Sequence, residues 1–326
     1  MRIISLTGLI SCALVLTACY IGPIDPPLRF EPELRQATPS PAMPTIPPSP
    51  TLLFDEVSVP PDPTLTLPTP TPYPDDMRFS LGESWEGRAI WAWQFGEGSH
   101  TIVLIGGIHG GYEANTVILA EQLINHFRLN PDDILPGIRL VIIPAANPDG
   151  LTRGDSVEGR FNARGVDLNR NWGCNWSPTA YLGDEQVDPG PRPFSEPETV
   201  ALRAYFIAEP PDAVIFYHSA LGAIFTGACG GNAPAGWLGA LLEDATGYTH
   251  EAAFTYYEVT GDATNWLAER GIPAVVVELE TRDDPEFRRN LAGVIALECH
   301  FVLDELPHNE ATARLFPDIH RLCVSK

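Results

Sequence analysis

The residues best suited to chemistry in this chain come shortly after apolar runs. His109 and Glu113 follow the run TIVLIGG, and His218 follows AVIFY. Glu278 ends the apolar run AVVVE, where an idle carboxylate would be costly to bury. Two imidazoles and a carboxylate are typical ligands of a hydrolytic zinc site, and a further glutamate can act as its general base. Together, these four residues predict metal-assisted hydrolysis.

A second group of polar residues lies between positions 147 and 172, in NPDGLTRGDSVEGRFNARGVDLNRNW. It contains Arg160, Asn169 and Arg170. Guanidinium groups bind carboxylates through paired hydrogen bonds, and they can also stabilise negative charge that develops on a reacting carbonyl oxygen. The segment therefore predicts anion recognition. Arg164 lies in the same run and competes with Arg160 for the second role.

The elements that must position these residues alternate between strands and helices. Apolar runs predict strands at 89–95, 101–107, 138–144, 213–218 and 273–280. Helical spacing predicts helices at 116–127, 195–207, 236–246, 264–271 and 285–306, the second of them starting with a cap at Ser195. The alternation predicts an α/β fold, with a mixed, mostly parallel central sheet and helices on both faces. Ligands of such sheets bind beyond the carboxyl ends of strands, which is where His109, His218 and Glu278 fall.

The N-terminus carries the features of an export signal. Arg2 precedes an apolar stretch that is short for a membrane span, and the stretch ends in the lipobox-like LTAC. We predict a signal peptide over residues 1–18 and lipidation of Cys19; the alternative is an ordinary signal with an incidental cysteine. About half of the 33 prolines lie in residues 23–74. Residues 19–77 are therefore expected to form a lipidated, extended tether, and 78–326 the catalytic domain.

Charge and cysteine content limit the compartment and the partners. The formal net charge is −22, from 42 acidic and 20 basic residues, so nucleic acid is not an expected partner. Without Cys12 and Cys19, four cysteines remain in an oxidising compartment, and they allow three pairings. We favour Cys174 with Cys229, because both follow candidate site segments, and Cys299 with Cys323, which would pin the C-terminal tail. A cysteine-based zinc site is disfavoured because no CxxC spacing occurs.

In their types and order, these residues resemble the zinc carboxypeptidase family, the M14 metallopeptidases, over roughly residues 80–305. The resemblance implies one Zn²⁺ per chain, a catalytic glutamate, an arginine that stabilises the oxyanion, an Asn-Arg pair that holds a substrate carboxylate, and a mobile tyrosine. The implied ligands are His109, Glu113 and His218; the implied catalytic residues are Glu278 and Arg160; the implied substrate-binding residues are Asn169, Arg170 and Tyr257.

Three points in this assignment stay open. The family usually spaces its first two ligands HxxE, whereas this chain has HGGYE, so either Gly110 and Gly111 absorb one extra residue or Glu113 is not a ligand. Glu280 is an alternative to Glu278, although only Glu278 precedes a leucine as the family's catalytic glutamate does. Tyr256 is likewise an alternative to Tyr257.

The resemblance implies hydrolysis of the amide bond next to a free C-terminal carboxylate. Three alternatives are a peptidoglycan peptide amidase or carboxypeptidase of the same family, a deacylase of the aspartoacylase kind, and a non-catalytic tethered binding protein. Expected partners are a peptide or cell-wall peptide substrate and, through Cys19, a membrane. We expect a monomeric lipoprotein on the outer face of the bacterial cytoplasmic membrane or elsewhere in the envelope.

Overall fold

Ten strands are present in the part of the chain that the computed structural model describes, residues 77–305 and 323. The strands are β1 (Arg78–Glu83), β2 (Ala89–Phe95), β3 (His100–Ile105), β4 (Ile138–Ile143), β5 (Ala180–Leu182), β6 (Glu185–Val187), β7 (Ala213–Ser219), β8 (Ala223–Thr226), β9 (Thr249–Glu251) and β10 (Ala274–Leu279). Eight of them form one sheet in the order β1-β2-β4-β3-β7-β10-β8-β9, and β5 pairs with β6 separately. The central neighbours β4, β3, β7 and β10 run parallel to one another.

Seven α-helices connect these strands within the same described residues. They are α1 (Ala114–Leu129), α2 (Pro148–Leu151), α3 (Val157–Arg160), α4 (Pro197–Ala208), α5 (Gly236–Thr246), α6 (Ala263–Glu269) and α7 (Phe287–Glu305). None of the helices in residues 77–305 is both long and apolar enough to cross a bilayer. The predicted signal peptide, Cys19 and all but the last residue of the predicted tether lie outside the described residues.

The central sheet separates two apolar cores, because successive strand residues point to opposite faces. On β3, Ile102 and Leu104 belong to one core, whereas Val103 and Ile105 belong to the other. Side chains of α1, α5 and α7 complete the first core, and side chains of α4 and α6 complete the second. The sequence prediction of a mixed, mostly parallel sheet with helices on both faces is therefore confirmed.

Differences from the sequence prediction are confined to short elements and helix starts. The short strands β1, β5, β6, β8 and β9 were not predicted. Most of them carry too few apolar residues to show the alternation that is typical of a strand. The predicted serine cap is wrong. Helix α4 begins at Pro197, after Glu196, and the Ser195 hydroxyl donates to the Glu196 carboxylate at 2.7 Å instead. Two disulfides link described residues, Cys174–Cys229 and Cys299–Cys323, with Cα–Cα distances of 6.5 and 5.6 Å.

Helix α7 carries a buried carboxyl group, Glu298, which should make stability depend on pH. The Leu135 N–H donates to its Oε2 at 3.0 Å, and its Oε1 has no partner among the described residues. Burial raises the pKa of Glu298 to about 8; the Leu135 hydrogen bond opposes the rise and the charge of Asp133 adds to it. Because the pKa of the folded state is the higher one, stability is lost as pH rises between the ordinary pKa of about 4.5 and 8.

Replacing this group with a neutral amide should remove that loss. The wild type should lose stability from pH 5 to pH 8, whereas Glu298→Gln should not. Over this range, the free energy of unfolding of Glu298→Gln is therefore expected to rise relative to that of wild type by on the order of a few kcal/mol. Denaturant unfolding at both pH values measures this difference. The exposed Glu185→Gln is the control and should show no such change. Equal pH dependence in the two variants would rule out the buried acid as its source.

Candidate active site

The turn after β3 brings His109 and Glu113 together despite the extra residue between them. The chain forms a 3₁₀ turn over Gly110–Glu113, and His109 Nδ1 lies 2.8 Å from Glu113 Oε1. Gly110 has a φ of +47°, and a Cβ there would lie 2.6 Å from the backbone carbonyl oxygen of Gly159. Only glycine fits such a left-handed and crowded position. The HGGYE spacing therefore still places both side chains at one point.

His218, on β7, completes a buried trio. Its Nδ1 lies 3.2 Å from Glu113 Oε2 and 3.2 Å from His109 Nδ1, and all three side chains are buried. Two facing ring nitrogens can share only one proton, and Glu113 can neutralise only one imidazolium. A divalent cation bound by both nitrogens and the carboxylate would satisfy all three groups, so the donor set fits zinc. Within residues 77–305 and 323, no other group of His, Cys, Asp and Glu converges in this way.

Asp167 and Arg160 support the trio from one side. His109 Nε2 lies 3.5 Å from Asp167 Oδ1, and Arg160 donates to Asp167 Oδ2 through Nε at 2.9 Å and Nη2 at 2.8 Å. Burial alone would raise the pKa of Asp167, but Arg160 and His109 hold it well below its usual range. The ionised carboxylate therefore faces His109 Nε2, which has no hydrogen-bond partner among the described residues, at the place where metal-binding histidines commonly have a carboxylate.

Glu278 lies beside the trio without being part of it. It is the register partner of His218 in the parallel pair β7–β10, and its buried Oε2 has no hydrogen-bond partner among the described residues. Burial raises the pKa of Glu278 to about 7; the charge of Glu113 adds to the rise, while His218 and nearby arginines oppose it. The alternative, Glu280, is exposed beyond the end of β10 and pairs with Arg289. The position of Glu278 beside the trio and its unpartnered Oε2 thus favour Glu278 over Glu280 as the general base.

The Asn169–Arg170 pair has hydrogen-bond donors left for an anion. Arg170 donates from Nε and Nη2 to the Tyr181 carbonyl and from Nη1 to the Asn169 carbonyl. Its guanidinium carries five N–H groups, so one remains on each terminal nitrogen. The Asn169 Oδ1 accepts from the Ala263 N–H at 3.1 Å, which directs its amide nitrogen away from that backbone. Together these groups can hold a carboxylate by a bidentate bond plus one further donor.

One cavity of about 510 Å³ is lined by all eight residues that the sequence analysis assigned to catalysis, substrate binding or metal binding. Tyr257 lies at its wall, and the more exposed Tyr256 lines it as well, with its hydroxyl bonded to Glu251. Arg164 does not line it; its guanidinium packs on Trp85 and pairs with Glu196. The residues brought together in the cavity are His109, Glu113, Arg160, Asn169, Arg170, His218, Tyr257 and Glu278.

Three residues of this site were not singled out from the sequence. Asp167 could have been found, since it stands two residues before Asn169 in the run VDLNRN. Asn115 is buried; its Oδ1 accepts from Ser219 at 2.9 Å, and its Nδ2 donates to the Thr281 carbonyl at 2.7 Å. It links α1, β7 and the loop after β10, and no local pattern marks such a link. Arg282 lines the cavity from that loop.

Residues 70–227 match the family model described as zinc carboxypeptidase. Over these residues, which make up just under half of its length, the chain carries a zinc carboxypeptidase domain. The family is described by its zinc ion, and the His-Glu-His trio supplies the kind of ligands that a zinc site needs. The sequence-based recognition of the family is thereby confirmed.

Relatives of this zinc carboxypeptidase domain include proteins from animals and bacteria. Rat carboxypeptidase D is 30% identical over 156 residues, covering 42% of this chain and 10% of that protein. Mouse carboxypeptidase A6 is 28% identical over 246 residues, covering 64% of this chain and 56% of that protein. The chain thus matches between a tenth and about half of the length of these relatives.

A solved structure shows the same fold. Murein-tripeptide amidase from Escherichia coli O157 superposes with a TM-score of 0.53 at 22% identity, covering 71% of this chain and 93% of that one.

Proposed function

We propose that this protein is a zinc-dependent carboxypeptidase that hydrolyses the amide bond next to a free C-terminal carboxylate. The observation that carries the proposal is the common cavity. It joins a trio of zinc-type ligands, a carboxylate with an unused buried oxygen, and an arginine with two N–H groups left for an anion. Family membership supports hydrolysis in general, and the arginine supports the terminal position of the bond that is cut.

His109, Glu113 and His218 would hold one zinc ion. Bound zinc would polarise the scissile carbonyl and acidify a water molecule. Glu278 would take the proton of the attacking water and deliver it to the leaving amine, a role that its raised pKa suits. Arg160, fixed by Asp167, would donate to the carbonyl oxygen as negative charge develops on it.

Asn169 and Arg170 would set which bond is cut. A carboxylate held by the two remaining N–H groups of Arg170 places the preceding amide at a constant distance along the substrate. Tyr257 lines the same cavity as Arg160 and would cover the bound substrate. Thr264, which is small and neutral, lines the same cavity and does not favour a bulky charged side chain.

A substrate without the terminal carboxylate tests the proposal. The zinc-loaded protein is expected to release the last residue of a peptide acid and to cut the matching C-terminal amide at least about 100-fold more slowly, measured as kcat/KM. In Arg170→Gln the difference between acid and amide should shrink strongly, whereas in Arg164→Gln it should persist. Equal cleavage of acid and amide by the wild-type protein would exclude a carboxypeptidase.

Export as a lipoprotein is part of the same proposal. The LTAC sequence ending at Cys19 supports lipidation, and the Cys174–Cys229 and Cys299–Cys323 disulfides support an oxidising compartment. The protein would then act, as a monomer, on peptides outside the cytoplasm. Labelling with a fatty-acid analogue that persists in Cys19→Ser would contradict lipidation at that residue.

A further inference from the structure

Tyr112, the inserted aromatic of the HGGYE turn, is a wall of the active-site cavity and lies against two arginines. The guanidinium of Arg282 lies 3.7 Å from the centre of its ring, and that of Arg160 lies 5.8 Å from it. Stacking on an aromatic ring orients a guanidinium and leaves its in-plane N–H groups available. The turn therefore builds a platform for a second cation beside the residue proposed to stabilise the oxyanion.

Arg282 is an exposed residue that lines the cavity, and it has no acidic partner among the described residues. Its loop is tied down by Asn115, whose Nδ2 donates to the Thr281 carbonyl at 2.7 Å and the Asp284 carbonyl at 3.1 Å. The nearby Glu280 is paired with Arg289. Arg282 lines the same cavity as Glu278. With 42 acidic and 20 basic residues in the chain, an arginine left without a carboxylate in this cavity is available for a ligand.

The position of Arg282 indicates which part of a substrate it would meet. The terminal carboxylate of the substrate would lie beside Asn169 and Arg170, and the side chain of the released residue would lie near Thr264. The Ala263 N–H donates to Asn169 Oδ1 and so connects these two parts of the cavity wall. Arg282 instead shares Tyr112 with Arg160, which serves the scissile carbonyl. The residue that donates that carbonyl, on the acyl side of the bond, is therefore the one nearest to Arg282.

We propose that Arg282, stacked on Tyr112, binds a second carboxylate, carried by the acyl-side residue of the substrate. This inference rests on the proposed carboxypeptidase function and adds a substrate class to it, namely peptides with an acidic residue before the one released. Two sources offer this chemistry. One is an α-linked acidic residue of a protein, with its side-chain carboxylate; the other is a γ-linked glutamate of a cell-wall peptide, with its free α-carboxylate.

Paired substrates test this subsite. The first pair has α-linked glutamate or glutamine before the terminal residue; the second has γ-linked D-glutamate with its α-carboxylate free or amidated. Wild-type protein is expected to prefer the charged member of at least one pair by about 10-fold in kcat/KM, between the values for an exposed ion pair and a charge-assisted hydrogen bond. The pair with the larger preference identifies the source.

Variants of Arg282 test the proposed subsite separately from the proposed carboxypeptidase function. Arg282→Gln should bring the preference close to one, and Arg282→Lys should retain part of it, because lysine keeps the charge without the planar stacking. The exposed Arg288→Gln, from the start of α7, is the matched control and should keep the full preference. An unchanged preference in Arg282→Gln, or no preference in wild type, overturns the subsite. Failure of the zinc-loaded wild type to cut any of the four peptides overturns the proposed function instead.

Discussion

Glu278→Gln is expected to lower kcat by about 10²–10⁴-fold while zinc stays bound. Glutamine keeps the size of the side chain but cannot take a proton from water. Glu278 lies outside the ligand trio, so metal content should be unaffected. Because the loss concerns proton transfer and not ground-state binding, KM should change far less than kcat. Steady-state kinetics on a peptide acid, with metal analysis of the same sample, measures both quantities.

The matched control for this prediction is Glu280→Gln, two residues along the chain. Glu280 is exposed and pairs with Arg289 outside the cavity, so its loss should leave kcat within a few-fold of wild type. If Glu280→Gln were the damaging change and Glu278→Gln the mild one, the general base would be assigned to the wrong glutamate.

Glu113→Ala is expected to abolish stoichiometric zinc binding, with hydrolysis falling to background. The carboxylate contacts both histidines, at 2.8 and 3.2 Å, and its removal leaves two ligands where catalytic zinc sites use three. The effect should exceed the 10–100-fold loss of affinity typical of residues that only orient a ligand. Zinc titration followed by calorimetry, or by competition with a chromophoric chelator, gives the dissociation constant.

Loss of the ligand should also appear in stability. Zinc added to wild type should raise the midpoint of thermal unfolding, because a ligand that binds only the folded state stabilises it. The same addition should have no effect on Glu113→Ala. Glu121→Ala, which changes the next carboxylate on α1, should respond to zinc like wild type. Full zinc affinity in Glu113→Ala would show that the extra residue in HGGYE has displaced Glu113 from the ligand set.

The sequence was sufficient to predict the central strands and the proximity of the candidate site residues, and the reason is physical. The strands β3, β7 and β10 are buried on both faces, so their apolar runs are continuous and end where polar site residues begin. Such ends meet at one edge of a parallel sheet, which places His218 next to Glu278 in register. The spacing of residues at strand ends was therefore informative about distances in space.

What the sequence did not reveal depends on contacts between distant segments. Nothing local indicates that the Asn115 amide ties together α1, β7 and the loop after β10, or that Arg282 reaches back over Tyr112. The consequence of the HGGYE spacing was equally open, because it is decided by the left-handed conformation of Gly110 and its packing against Gly159. Tertiary packing determines all three features.

Zinc-dependent release of a C-terminal residue is the most direct test of the function proposed for this cavity. The purified protein would be stripped with a chelator, titrated with zinc, and assayed at each step on a library of peptide acids. We predict that activity rises with zinc and reaches its maximum at one ion per chain, and that the released products are single C-terminal residues. Stoichiometric zinc binding with no release of residues, or release that is unaffected by complete removal of zinc, would contradict a zinc carboxypeptidase.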